Sequence, residues 1–92
     1  MPRPYKRRRI RFRPDFDYYK PAGVPLNNLE EVRINADEME ALVLSDVYGF
    51  NQKDAAEKME ISQPTFHRIL SSARKKIASA LSTGKAIRIK RL

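Results

Sequence analysis

Apolar side chains recur at helical spacing in three stretches of the chain, all between residues 35 and 84. In the first stretch, residues 37–48, the apolar residues that share one face are Met39, Leu42, Val43 and Val47. The second stretch is residues 52–59. In the third, which follows Ser62, they are Phe66, Ile69, Ala73, Ile77 and Ala80–Leu81. Because an α-helix turns once in about 3.6 residues, this pattern predicts three helices.

The residues at the ends of these stretches favour helix caps. The three N-cap positions hold Asn35, Asn51 and Ser62. Glu38, three residues after Asn35, completes a capping box, and Pro64 fits the first turn of the third helix. Gly49 and Gly84 are expected to end the first and third helices, because glycine adopts a left-handed backbone at low cost.

Three short stretches instead alternate apolar residues with mainly basic ones: 9–13, 31–34 and 86–90. A period of two predicts β-strands with one apolar and one cationic face. Because a two-stranded ribbon is only marginally stable, the stretches are expected to form one small sheet or to pair between two copies of the chain. The apolar sides would then cover the helices, and the Arg and Lys sides would form a cationic rim for phosphate.

Residues 14–29 hold three prolines and Gly23, which predicts an irregular connection. Within it, Phe16, Tyr18 and Tyr19 are expected to anchor on the core, because a small domain needs its aromatic side chains for packing. Stacking of these rings on nucleic-acid bases is the alternative.

The second and third helices are separated by only three residues, 60–62, as in a helix-turn-helix. If Gln52 is taken as the first residue of that unit, six core positions carry small or apolar residues, namely Ala55, Ala56, Met59, Ile61, Phe66 and Ile69. The turn position that is usually Gly is Glu60, which must then adopt a positive φ at some cost. The pattern favours a DNA-binding helix-turn-helix over a purely structural helical hairpin.

A helix-turn-helix places the N-terminal part of its second helix in the major groove, so outward residues there are candidates to contact base edges. By spacing, these are Gln63, Thr65, His67, Arg68 and Ser71. Gln63 suits adenine and Arg68 suits guanine, whereas His67 has the alternative of an exposed residue with no special role. Phosphate contacts are expected from Asn51, Gln52, Arg74 and Lys75, and from Arg7, Arg8 and Arg9 in the N-terminal arm.

The expected fold is therefore mainly α, a helix-turn-helix three-helix core with short β-strands near the two termini. Ninety-two residues leave room for one domain of this size. Four segments divide the chain: a basic N-terminal arm with a candidate strand (1–13), an irregular Pro-rich connection with a candidate strand (14–34), the helix-turn-helix domain (35–84) and a basic C-terminal strand or tail (85–92).

Positive charge is concentrated at the two ends of the chain. There are 19 Lys and Arg against 11 Asp and Glu, a net charge of +8. Residues 1–20 carry eight basic and two acidic groups, and residues 74–92 carry seven basic and none acidic, whereas residues 21–60 carry three basic and nine acidic. Cationic ends favour an anionic polymer as the partner, and nucleic acid is the first candidate.

The composition argues against several other classes of protein. With no Cys and the single His67, thiol catalysis, disulfides and Cys- or His-based metal sites are not expected, and neither is a cofactor. Acidic residues such as Asp37, Glu38, Asp46 and Asp54 are interpreted as caps and solvated helix faces, not as a paired catalytic site, so no enzyme is expected. No apolar run is long enough to span a membrane and no secretory signal is present, which predicts a cytoplasmic protein without a membrane partner.

The leading interpretation is a sequence-specific DNA-binding protein and transcriptional regulator that acts on double-stranded DNA. Because one helix-turn-helix reads a short site, a homodimer on two half-sites is expected. Two alternatives stay open. One is an RNA-binding or ribosome-associated protein that uses the basic ends and aromatic residues. The other is a module whose acidic first helix docks a partner such as RNA polymerase.

Short motifs are spread along nearly the whole chain, and they include Met1–Pro4, Lys20–Gly23, Leu29–Val32, Ala55–Ala56, Arg68–Leu70 and Gly84–Ala86. They resemble a family of uncharacterised prokaryotic proteins, domain of unknown function 134, which is predicted to bind DNA. Residues 37–81 are also similar to region four of bacterial sigma factors, the helix-turn-helix that reads a promoter element. The resemblance implies DNA binding and a role in transcription, by analogy of fold.

Overall fold

The structure is a computed structural model, and it describes residues 16–90. Its elements in chain order are strand β1 (Phe16–Tyr19), a 3-10 turn (Leu26–Asn28), strand β2 (Glu31–Ile34), helix α1 (Ala36–Leu42), a π-helical turn (Val43–Val47), helix α2 (Gln52–Met59), helix α3 (Gln63–Thr83) and strand β3 (Ala86–Lys90). The described part is mostly helical, with three helices and a three-stranded sheet whose strands lie near both ends. The sequence predicts this architecture, and the structure confirms it.

Helices α2 and α3 begin and end at the predicted residues. The Asn51 side chain accepts a hydrogen bond from the Asp54 N–H at 2.8 Å. Ser62 Oγ accepts one from the Thr65 N–H at 3.2 Å. These bonds satisfy N–H groups that the first turn of a helix leaves without a partner. At the other end of α3, Gly84 adopts a φ of +72° and ends the helix.

Helix α1 differs from the prediction after Leu42. The chain widens into a π-helical turn, in which the Tyr48 N–H donates to the Val43 carbonyl five residues back, at 2.9 Å. A wider turn rotates the following side chains away from the positions that a period of about 3.6 residues gives them. Val47, predicted on the apolar face, is therefore 70% exposed, whereas Leu44 is buried.

The three strands form one mixed sheet with β3 in the centre. Strand β2 lies parallel to β3 on one side, and β1 lies antiparallel to it on the other. The strands predicted at 31–34 and 86–90 are confirmed, and they pair with each other within one chain. The strand predicted at 9–13 lies outside the described residues.

Strand β1 corrects the expectation of an irregular connection at its N-terminal end. Phe16–Tyr19 form a strand despite the neighbouring prolines, because an aromatic-rich run favours a half-buried position in a sheet. Tyr18 and Tyr19 do not anchor on the core, since their exposed fractions are 39% and 60%. Aliphatic side chains fill the sheet face that meets the helices instead, and Ile34 is completely buried.

The core lies where α1, α2 and α3 meet. Its buried members are Ala41, Leu42, Leu44, Ala55, Ala56, Phe66, Leu70 and Ala73, and Phe50, Met59, Ile61, Ile69 and Ile77 pack against them. All six residues predicted at the core positions of the α2–α3 pair are among these. Leu81 departs from the predicted apolar face of α3. It lies about 100° around the helix from the buried Ala80 and is 74% exposed.

The carboxylate of Glu38 joins the sheet to α1 and α3. It is 5% exposed, and it accepts hydrogen bonds from the Asn35 N–H at 2.9 Å, Ser72 Oγ at 2.7 Å and Lys76 Nζ at 2.8 Å. Lys76 Nζ also donates to the Arg33 carbonyl at 2.9 Å. Burial raises the pKa of Glu38, but these hydrogen bonds and the positive charge of Lys76 together hold that pKa below its usual range. The predicted capping residue is thus buried rather than solvated.

Acid should weaken the hydrogen bonds of Glu38. A carboxylate whose pKa is lowered by folding adds stability above its unfolded pKa, about 4.3 for Glu, and loses it as the pH falls through the folded value. We expect Glu38→Gln to lower the free energy of unfolding by about 2 kcal/mol near neutral pH and by less below about pH 4. Urea unfolding of both proteins across this range measures the difference.

Glu40→Gln is the matched control for this prediction, since Glu40 is exposed on the same helix. It should change the free energy of unfolding by less than about 0.5 kcal/mol at every pH. Equal losses in the two variants would show that the Glu38 carboxylate does not join these elements.

Glu60 is the one non-glycine residue with a positive φ, 59°, among residues 16–90. This backbone conformation costs a residue with a side chain roughly 1 kcal/mol relative to Gly. We expect Glu60→Gly to raise the free energy of unfolding by about 0.5–1 kcal/mol, and Glu57→Gly, within α2, to lower it by about 1 kcal/mol. Urea unfolding measures both, and a loss in both variants would contradict strain at Glu60.

Candidate nucleic-acid interface

A left-handed residue closes the turn between α2 and α3. Glu60 has φ 59° and ψ 42°, the conformation expected at the position that is usually Gly. The Ile61 N–H then donates to the Ala56 carbonyl at 3.0 Å, as in a Schellman turn. Ile61 packs against the core, and the buried Ala55 and Ala56 present small side chains to α3. The turn therefore sets the direction of α3 relative to α2.

A chain of hydrogen bonds orders the first turns of α3. Ser62 Oγ donates to Thr65 Oγ1 at 2.8 Å, and Thr65 Oγ1 also accepts from Arg68 Nη2 at 3.2 Å. Thr65, which the sequence predicts to contact base edges, is half-buried and lies in the middle of this series of hydrogen bonds. Its contact with Arg68 makes it a positioning residue for that side chain.

The other four predicted base contacts are exposed on α3, namely Gln63, His67, Arg68 and Ser71. Gln52, in the first turn of α2, reaches this surface, because its Nε2 lies 3.4 Å from His67 Nδ1. Gln52, Gln63, His67 and Arg68 line one surface depression together with Pro64. The fold thus brings the N-terminal turns of two helices onto a single face.

The predicted phosphate contacts have different surroundings. Asn51 caps α2 at the edge of this face. Lys75 is exposed on α3, and its side chain forms no hydrogen bond or ion pair with residues 16–90. Arg74 instead forms a two-pronged ion pair with Asp46, with Nη2 2.5 Å from Oδ1 and Nε 3.2 Å from Oδ2. The arginines at 7–9 lie outside the described residues.

The ion pair between Arg74 and Asp46 links α3 to the π-helical turn. The hydrogen bonds and charge of Arg74 lower the pKa of Asp46, and the carboxylate in turn raises the pKa of Arg74. Both side chains are about half exposed, so solvent screens the attraction and its contribution to stability is small. Its main effect is to direct the guanidinium toward the π-helical turn.

The helical part of the chain has little positive charge of its own. Residues 35–84 hold six basic and seven acidic residues, and exposed acidic side chains on α2 include Asp54 and Glu57. Arg68 and Lys75 supply positive charge on the exposed side of α3. The net charge of +8 therefore comes from the terminal segments.

Residues 16–90 were compared with two other common functional features, a metal site and a membrane-spanning helix. Between residues 16 and 90, no group of three or more His, Cys, Asp and Glu side chains is arranged to hold a metal ion. No helix in that part of the chain is both long and apolar enough to cross a bilayer.

Comparison with known proteins identifies the family of the chain. The family described as "Protein of unknown function DUF134" matches residues 1–91. The chain belongs to this family. A UPF0251 protein of Desulforudis audaxviator is 57% identical over 89 residues, which make up 97% of this chain and 58% of that protein. UPF0251 proteins of Dehalococcoides mccartyi and Halothermothrix orenii are 57% and 49% identical, and the chain covers 76% and 65% of their lengths. No solved structure matches significantly.

The sequence predicted only part of a further charged surface of this DUF134 protein. The outer face of the sheet, opposite the side on which Ile34 is buried, presents Arg33, Arg88 and Lys90 together with Tyr18. The alternation in β2 and β3 predicted the basic residues. The sequence indicated Tyr18 as an alternative base-stacking residue, but its place in a strand was not predicted, because the flanking prolines obscured the strand propensity of β1.

Proposed function

We propose that this protein binds double-stranded DNA sequence-specifically through α2 and α3 and regulates transcription. The observation that carries the proposal is the pairing of these helices through a three-residue turn with a left-handed residue. The N-terminal turns of the second helix of the pair are exposed. A helix-turn-helix has this arrangement, and it places its second helix in the major groove.

Gln63, His67 and Arg68 supply the base contacts in this proposal. A Gln side chain matches the edge of adenine, and an Arg side chain matches that of guanine, each with two hydrogen bonds. Thr65 Oγ1 accepts a hydrogen bond from Arg68 and so restricts its rotamers before DNA binds. This reduces the entropy that a long side chain loses on binding.

Attraction to the phosphate backbone must come largely from outside the helices. With six basic and seven acidic residues, residues 35–84 do not attract a polyanion. The start of α2, at Asn51 and Gln52, offers polar side chains and helix N–H groups to phosphate. Residues 1–13 carry seven basic residues and no acidic one. We assign to this arm, which includes the arginines at 7–9, the neutralisation of phosphates beside the site.

A homodimer is the simplest way to lengthen the recognised sequence, because one recognition helix reads only a few base pairs. Two copies would read half-sites about 34 Å apart on one face of the duplex. The similarity of residues 37–81 to sigma factor region four supports a role in transcription. The alternative is a role in transcription in which the acidic α1 contacts RNA polymerase.

In vitro selection from a random duplex library tests the proposal. Enrichment of one motif, with binding that persists as salt rises from about 50 to 200 mM, would support it. An inverted repeat would also give the spacing of the half-sites. Absence of any enriched motif, with binding that collapses over this salt range, would overturn sequence-specific recognition.

Variants of the exposed side of α3 should separate base contacts from phosphate contacts. On the selected site, Gln63→Ala and Arg68→Ala should each weaken binding by about 1–3 kcal/mol, with little change on random DNA. Fluorescence anisotropy titrations on both duplexes measure this. Lys58→Ala, which removes one positive charge from α2, is the control and should affect both duplexes only slightly. Equal losses on the two duplexes for Arg68→Ala would make Arg68 a phosphate contact.

Replacement of the three arginines at 7–9 by Ala should weaken binding to specific and random DNA alike. Each neutralised phosphate contributes about 0.9 to the slope of log affinity against log salt, so the slope of the triple variant should be smaller by up to about 2.7. Titrations at several salt concentrations measure the slope. A variant with the wild-type slope would place the arm away from the DNA.

A further inference from the structure

The outer face of the sheet carries a row of side chains that crosses all three strands. Arg33 of β2 and Arg88 of β3 are partners in the parallel register, and Tyr18 of β1 is the antiparallel partner of Arg88. Partners in a sheet project on the same side, so the three side chains form one row. Lys90, two residues beyond Arg88, projects on that side as well.

Two members of this row, Arg33 and Arg88, carry like charge on neighbouring strands. Neighbouring strands lie about 4.8 Å apart, and like charges directly opposite each other destabilise a sheet. Glu31 offsets part of the charge, because its Oε1 lies 3.9 Å from Arg88 Nη1. Arg33 and Lys90 are exposed, and their side chains form no hydrogen bond or ion pair with residues 16–90. These two exposed cations are therefore available to contact an anion.

Tyr18 adds an aromatic surface to the row. Its side chain is partly exposed, and the Arg88 guanidinium carbon lies 5.7 Å from the ring centroid, which helps to hold the ring in place. An exposed ring beside cations suits a phosphodiester strand, since the cations contact phosphates and the ring stacks on a base.

The positive charge of this face continues along the chain in both directions. Phe16 begins β1 opposite Lys90, the last residue of β3. The residues that precede Phe16 include seven basic and one acidic, and Arg91 follows Lys90. In the sequence, the strand ends at this edge of the sheet therefore adjoin the basic residues 1–15 and Arg91.

We propose that the outer face of the sheet binds single-stranded nucleic acid, with Arg33 and Lys90 on the phosphates and Tyr18 stacked on a base. A single strand fits because its bases are free to stack, whereas those of a duplex are already stacked and paired. This site lies on the sheet, which packs against the C-terminal half of α3, whereas the face proposed to read duplex DNA is formed by the N-terminal turns of α3. It is therefore independent of the proposed function, and either can fail without the other.

Fluorescence anisotropy of labelled oligothymidylate and oligouridylate with the full chain tests the proposal. Arg33→Ser/Lys90→Ser should weaken binding roughly tenfold and lower the salt slope by about 1.4, because each of the two cations neutralises one phosphate and so accounts for about 0.7 of the slope. Tyr18→Ser should also weaken binding roughly tenfold, whereas Tyr18→Phe should bind like the wild type because its ring still stacks. Similar affinities for the two oligomers would show that the site recognises features that DNA and RNA strands share. A preference for one oligomer would show which of the two nucleic acids the site binds.

Two control variants separate this site from general electrostatic attraction and from the duplex site. Lys53→Ser/Lys58→Ser removes the same charge from α2 and should leave single-strand binding within about twofold of the wild type. Gln63→Ala/Arg68→Ala should also keep single-strand binding. The proposal is overturned if the α2 variant loses as much affinity as the sheet variant. It is also overturned if Tyr18→Ser, shown by circular dichroism to be folded, binds single strands like the wild type.

Discussion

The position of the sheet on the helices depends on one buried carboxylate. Glu38 lies in the first turn of α1, yet its oxygens accept hydrogen bonds from Ser72 and Lys76 on α3 and from the N–H of Asn35 just after β2. A buried carboxylate costs several kcal/mol unless its oxygens are fully paired. An arrangement that separates these elements would leave it unpaired. Since Lys76 also contacts the Arg33 carbonyl, the same network restricts how β2 lies on α3.

The two halves of α3 pack against different parts of the protein. The helix has 21 residues and is therefore about 31 Å long. Its C-terminal half carries the sheet, and Phe66 in its N-terminal half is buried among residues of α1 and α2. Because both halves bury one side of the helix, the other side stays exposed from Gln63 to Lys75. The sheet thus places a second charged face at a distance from the first without adding another domain.

Features that depend on a few neighbouring residues could be predicted from the sequence, and features that depend on distant partners could not. Asn51 and Ser62 cap their helices through bonds to residues three positions away, so the bounds of α2 and α3 follow from local chemistry. The exposure of Val47 depends on a π-helical turn that no local signal indicated. In the candidate site, helical periodicity predicted which side of α3 faces solvent. It could not predict that Arg74 pairs with Asp46, 28 residues earlier in the chain.

Under the proposed function, the distribution of charge assigns different tasks to the helices and to the basic segments. Hydrogen bonds from Gln63 and Arg68 act only at contact, whereas charge–charge attraction reaches about 8–10 Å at physiological salt. The helical part, with its excess of acidic residues, cannot draw a polyanion from that distance. Under the proposed function, encounter with DNA would be governed by the basic arm, and the lifetime of a particular complex by α3. Because these groups lie in separate segments of the chain, the proposed function implies that overall affinity for DNA and selectivity among sequences could change independently of each other.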